Sequence, residues 1–169
     1  MYNSRSAHID LDDLYDTQAR GIYYQHVVGL VAAILLVVDY LFVPWVNVPF
    51  VSISASQMTS LGPVAGLGNL VFVPVAGVLS ALISGVSLWR SLNHAATGIA
   101  QVVVCVLGLI PVISVWSALG PVLEGVGQWL HLPIDLVSLG LGFHAAWVLL
   151  LVGVLVGIYD LVIGVRSRV

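Results

Sequence analysis

Apolar residues run in four long blocks along this 169-residue chain, and most of its charged residues lie between or outside them. A helix needs about 20 apolar residues to cross the hydrocarbon layer of a membrane. Four segments meet that requirement: about 21–43, 66–89, 97–118 and 142–165. Pro44, Arg90 and Arg166 end the first, second and fourth of them. The pattern predicts an all-α integral membrane protein built as a four-transmembrane-helix bundle. Residues 1–20 form an acidic N-terminal arm, and residues 166–169 a short tail.

The segments between spans carry their own patterns. Val51, Ile53 and Ala55 alternate with Ser52, Ser54 and Ser56, the period of a strand with one apolar face. A lone strand is not stable, so this one needs a pairing partner. Val126 to Leu132, with Trp129 and Leu130 before Pro133, reads as a short interfacial helix. Both inter-span loops are apolar for exposed segments, which points to contact with lipid or with a partner protein.

The arginines set the orientation. Arg5 and Arg20 precede the first span, Arg90 lies in the turn between the second and third, and Arg166 and Arg168 follow the fourth. With four spans all five fall on one membrane face, and the two other loops hold no Lys or Arg. Cytoplasmic loops collect positive charge, so both termini are expected in the cytoplasm. Tyr23, Tyr24, Trp89 and Tyr159 then fall near the inner interface, and Tyr40, Trp45, Trp116, Trp129 and Trp147 near the outer one. The expected location is a bacterial-type plasma membrane, crossed several times.

Composition agrees. Hydrophobic residues make up 60% of the chain and charged residues 8%, where soluble domains carry about 25% charged residues. A net charge of -3 with no lysine excludes an electrostatic footprint for nucleic acid. Cys105 is the single cysteine, so no intrachain disulfide and no cysteine-based metal site can form. The topology is similar to that of claudin-type tetraspan proteins, which carry a Trp and paired cysteines in the first outer loop. Trp45 is present here but that loop lacks cysteine, so no family is assigned.

Helices in lipid approach closely where small residues line a face. Gly77, Ala81 and Gly85 in the second span, and Gly153 and Gly157 in the fourth, have the required four-residue spacing. These two helices, against each other or against other partners, are the expected close contacts. Pro74 and Pro111 inside the second and third spans are expected to kink them.

Ionisable residues within spans are costly and mark functional candidates. Asp39 and His144 lie near the outer ends of the first and fourth spans and are expected to form a polar pair. Asp160, near the inner end of the fourth span, is expected to bridge Arg20, Arg90 or Arg166. His26 and His144 are the candidate ligands of a haem or pigment. No two helix-buried histidines share a depth, since His94 is read as part of a turn and His131 as part of a loop. No metal-ligand spacing, phosphate loop or nucleophile motif occurs, so no metal site and no catalytic residue is expected. The expected function is a non-catalytic accessory subunit of a larger membrane complex, respiratory or photosynthetic in type, with lipids and other subunits as partners. A small pigment- or haem-binding protein and an oligomeric channel or carrier are the alternatives.

Overall fold

A computed structural model describes residues 11–49, 51–60, 67–89, 93–117, 120, 121, 124, 128, 131 and 137–166, with 11–20, 22 and 51 described by their backbone only. Helix α1 spans Leu11–Phe42 and leads into strands β1 (Pro44–Val48) and β2 (Val51–Ser54) and the short helix α2 (Ala55–Ser60). A 3-10 turn at Leu67–Val71 opens α3 (Phe72–Trp89). Helix α4 (His94–Ser117), strand β3 (Ser138–Leu139) and helix α5 (Leu141–Arg166) complete the described chain. Four segments are long and apolar enough to cross a membrane: Tyr23–Phe42, Leu67–Trp89, His94–Ser117 and Leu141–Arg166. The expected helix over 126–132 lies almost wholly outside the described residues.

The first helix starts earlier than hydropathy alone implies, because Asp12 and Asp13 in its first turn suit a helix N-terminus. The third span also starts earlier, at His94 rather than Thr97. Asn93 caps it: its side-chain Oδ1 accepts from Ala95 N at 3.2 Å, and its carbonyl accepts from the amides of Ala96 and Thr97. Pro74 is the third residue of α3, in the first turn where no intrahelical donor is missing, so it does not interrupt the helix as expected. Pro111 lies inside α4.

The four long helices form a ring in which α1 packs on α3 and α5, and α4 packs on α3 and α5. The second and fourth spans are therefore not each other's main partners. Each uses its small residues on a different neighbour. A Cβ at Gly77 would lie 2.8 Å from Val37 Cγ2 and 3.2 Å from the Ala33 carbonyl, so this glycine seats α1. Ala81 is partly exposed, and a Cβ at Gly85 would meet nothing within 4 Å. Gly153 and Gly157 instead receive α4. Gly98 of α4 faces Gly157 so closely that its Cβ would stand 2.6 Å from both the Gly157 carbonyl oxygen and the Leu161 amide.

One end of the ring is closed by a three-stranded sheet of order β2-β1-β3, both pairs antiparallel. Strand β2 thus finds the partner that its alternation requires. The register between β1 and β2 shifts between Pro44 and Val46, leaving Trp45 as the extra residue. Such a bulge lets two successive residues face one way, and Trp45 and Val46 are both fully buried. Trp45 stands edge-on to Phe143, with ring centroids 5.7 Å apart. Around them the apolar core gathers Leu36, Ile53, Met58, Leu67, Leu70 and Val73. Tyr40 and Trp45 therefore turn into the core rather than toward an interface. At the other end Tyr23, Tyr24, Trp89 and Tyr159 are exposed on the outside of the bundle.

Asp39 ties this end together. Its Oδ2 accepts from Trp45 Nε1 at 3.1 Å, and both side chains are buried. Replacing Trp45 with Phe keeps most of the ring volume but leaves that carboxylate without a donor. An unsatisfied buried acceptor costs roughly 1–3 kcal/mol. Trp45→Phe should lower stability by about 2 kcal/mol, read from unfolding in mixed micelles, whereas Trp116→Phe on the exposed surface should be near neutral.

A candidate metal centre between three helices

The bundle interior changes character along its length. At the sheet end it is apolar. Toward the opposite end every long helix turns a polar side chain inward: His26 from α1, Ser80 and Ser84 from α3, Thr97 and Gln101 from α4, and Asp160 from α5, all buried. Thr97 and Gln101 are four residues apart, as are Ser80 and Ser84, so each pair shares a helix face. Gln101 donates to Ser80 Oγ and sits 3.8 Å from Cys105 Sγ. Each span contributes only one or two such groups, so none shows a polar stripe in sequence.

The deepest charge is Asp160, 2% exposed. Its Oδ1 accepts from Gln25 Nε2, and its Oδ2 accepts from Thr97 Oγ1 at 3.2 Å. Two histidines also converge on Oδ1: His94 Nδ1 at 3.3 Å and His26 Nε2 at 3.6 Å. The two imidazoles stack, with centroids 6.2 Å apart and planes 13° apart. Among the described residues no arginine pairs with Asp160, so the expected bridge to Arg166 is absent; the side chains of Arg20 and Arg90 lie outside the described residues. The physical reason is position: Asp160 faces the bundle interior, whereas Arg166 is exposed.

Two imidazole nitrogens around one carboxylate oxygen in a low-dielectric interior are held together either by ring protons, as N–H···O contacts, or by a cation bound among them. His26 Nε2 has no hydrogen-bond partner although it is sealed from solvent, and neither has Gln25 Oε1 beside it. Buried polar groups left this way call for an ion or a water. His26, His94 and Asp160 offer one ligand atom each, all within 4.8 Å of one another. Ligands of a tetrahedral zinc ion, bound at 2.0–2.1 Å, stand about 3.3 Å apart along each edge. The separations of 3.3 and 3.6 Å from Asp160 Oδ1 are close to that edge, and the three ligand atoms all lie within 4.8 Å of one another. His26 and Asp160 come from the first and fourth spans and His94 from the start of the third, so an ion here would pin three helices together.

The other sequence candidates separate. His144 is exposed on α5 at the sheet end, edge-on to Phe143, and makes no hydrogen bond with Asp39, whose donor is Trp45. The expected Asp39–His144 pair is thus replaced by Asp39–Trp45, because the bulge at Trp45 carries the indole to the carboxylate first. His26 and His144 lie at opposite ends of the bundle, so either would have to hold a pigment alone. The pair that does share a depth is His26 with His94, since α4 already includes His94. With Asp160 against both nitrogens, that pair suits a bare ion rather than a macrocycle.

Compared with known proteins, the chain matches no family model, no curated protein and no solved structure.

Proposed function

We propose that this is a multi-pass membrane protein that holds one divalent transition-metal ion between His26, His94 and Asp160, at the arginine-bearing, cytoplasmic end of its bundle. The observation that carries the reading is the convergence of two imidazole nitrogens on one buried carboxylate oxygen at 3.3 and 3.6 Å, with His26 Nε2 otherwise unpartnered. Mixed nitrogen and oxygen donors suit zinc and its neighbours better than calcium or magnesium, which take oxygen ligands. Gln25 and Thr97 hold the carboxylate in place, the part that outer partners play around a metal. Three protein ligands leave the fourth tetrahedral position to water or another donor, and His94 is the ligand on the accessible side. Under this reading the role as a non-catalytic subunit of a larger membrane assembly stays a separate proposal, resting on the apolar surface of the helices.

Titration of the full-length protein in mild detergent with zinc chloride tests the proposal. One equivalent should bind per chain, with affinity falling on acidification because each imidazole must shed its proton to bind. His94→Ala, at the most accessible of the three ligands, should abolish the stoichiometric step while leaving the helical content unchanged. Zinc uptake that is unaltered in His94→Ala would reject the site. The mass of the same mild-detergent preparation reads any partner subunits directly.

A further inference from the structure

A second feature lies at the sheet end and is independent of the metal centre. Between helices α1 and α5 at that end lies a groove of about 450 Å³, lined by Leu35, Val38 and Asp39 on one side and by His144, Ala145 and Val148 on the other. Its walls are apolar except for one carboxylate and one imidazole. Asp39 is 3% exposed. Only one of its oxygens is satisfied, by Trp45; Oδ1 has no partner. His144 is exposed at the same groove.

We propose that this groove binds a membrane phospholipid with a primary-amine headgroup. Asp39 lies three residues before Phe42, the last residue of α1, so its carboxylate is about one helical turn, roughly 5 Å, from the helix end. That is headgroup depth for a span ending at Phe42, and the apolar walls below it suit an acyl chain. The headgroup is then chosen by charge. An unpaired carboxylate oxygen attracts an ammonium, and the neighbouring imidazole complements the phosphate that the same headgroup carries. A purely anionic headgroup would face Asp39 with like charge. Shape narrows the choice further. Oδ1 is closed to a water-sized probe, so only a small group, seated by a slight opening of the groove wall, reaches it, and that group must donate a hydrogen bond. A primary ammonium can do both, whereas a trimethylated one has no N–H and is wider. The selected class is therefore phosphatidylethanolamine rather than phosphatidylcholine or phosphatidylglycerol.

Native mass spectrometry of the full chain, delipidated and then offered each of these three lipids with identical acyl chains, tests the proposal. Wild type should retain phosphatidylethanolamine about tenfold better than phosphatidylcholine, the effect of one hydrogen bond to a charged group, and phosphatidylglycerol least. Asp39→Asn should bring the two zwitterionic lipids to equal retention. Ala145→Phe, which fills the groove without touching Asp39, should lower retention of all three. Equal retention of phosphatidylethanolamine and phosphatidylcholine by wild type would overturn the proposal, as would a preference that survives both substitutions. Because His26, His94 and Asp160 lie at the other end, failure here leaves the zinc titration untouched, and the reverse also holds.

Discussion

Gly98→Leu should prevent the bundle from assembling. At this position even a single added carbon would stand 2.6 Å from backbone atoms of α5 at Gly157 and Leu161. Flexible side chains can move aside, but helix backbones cannot. The helices α4 and α5 would have to separate along their whole contact, which also includes Gly153 against Cys105 and Gly164 against Ala95. Overpacking a tight core costs about 1–3 kcal/mol when side chains can adjust and more when they cannot. In lipid no hydrophobic drive holds the pair together, so close packing is the main term lost. We expect at least about 4 kcal/mol of destabilisation, read as loss of the folded species in micelle-based unfolding. Gly85→Leu is the matched control. It has the same helix and spacing signature as Gly77, but its added Cβ meets nothing within 4 Å. Its half-buried site has room for the added carbon, so it should not destabilise the fold, and losing a helix-interior glycine works the other way by roughly 0.5–1 kcal/mol.

Asp160→Ala should remove zinc binding and most of the coupling among α1, α4 and α5 at that end. Outer partners of a metal ligand alone are worth about 10–100-fold in affinity. Losing the carboxylate on which both histidines converge should cost more than 100-fold, roughly, by the same scale. It also leaves Gln25 and Thr97 without their acceptor. In wild type, zinc at one hundred times its dissociation constant should stabilise the fold by about 2.7 kcal/mol through linkage. In Asp160→Ala the increment should vanish, so that melting curves with and without zinc superimpose. A zinc-dependent shift that persists in this variant would place the ion elsewhere.

How much of this was readable in the chain depends on the range of the signal. The four spans were legible because hydropathy is a local sum over about 20 residues, and each of the four blocks corresponds to a helix of that length or more. The alternation of Val51 to Ser56 pointed to a strand; the chain is extended only over Val51–Ser54, and Ala55 and Ser56 open α2 instead. Strand β1 was not legible, because the bulge at Trp45 breaks the two-residue period that would have revealed it. The small residues were visible, but not what they touch. Gly77 and Gly85 look alike in sequence, yet one lies against α1 and the other meets nothing. Asp39 was recognised as a candidate, but its partner was assigned by depth alone, which cannot foresee an indole swung inward by a bulge.

The convergence of His26, His94 and Asp160 was not foreseen from the chain for one specific reason. Starting the third span at Thr97 leaves His94 in a turn, and then His26 has no companion at its depth. The signal that would have corrected this was present: Asn93 is a preferred N-cap residue directly ahead of an apolar run. Moving the helix start back by one turn places His94 on the same face as Thr97 and Gln101, within the interior that Asp160 faces. The convergence itself is a property of the ring order α1–α3–α4–α5, which places α1, α4 and α5 around one carboxylate and which no span declares alone.

The most direct test of the metal centre is X-ray absorption at the zinc edge on full-length protein loaded with one equivalent. The account predicts a four-coordinate ion with two imidazole nitrogens and carboxylate oxygen in its inner shell at about 2.0–2.1 Å, and loss of the imidazole scattering in the His26→Ala and His94→Ala variants. A shell made only of oxygens, or a spectrum unchanged by both substitutions, would contradict it.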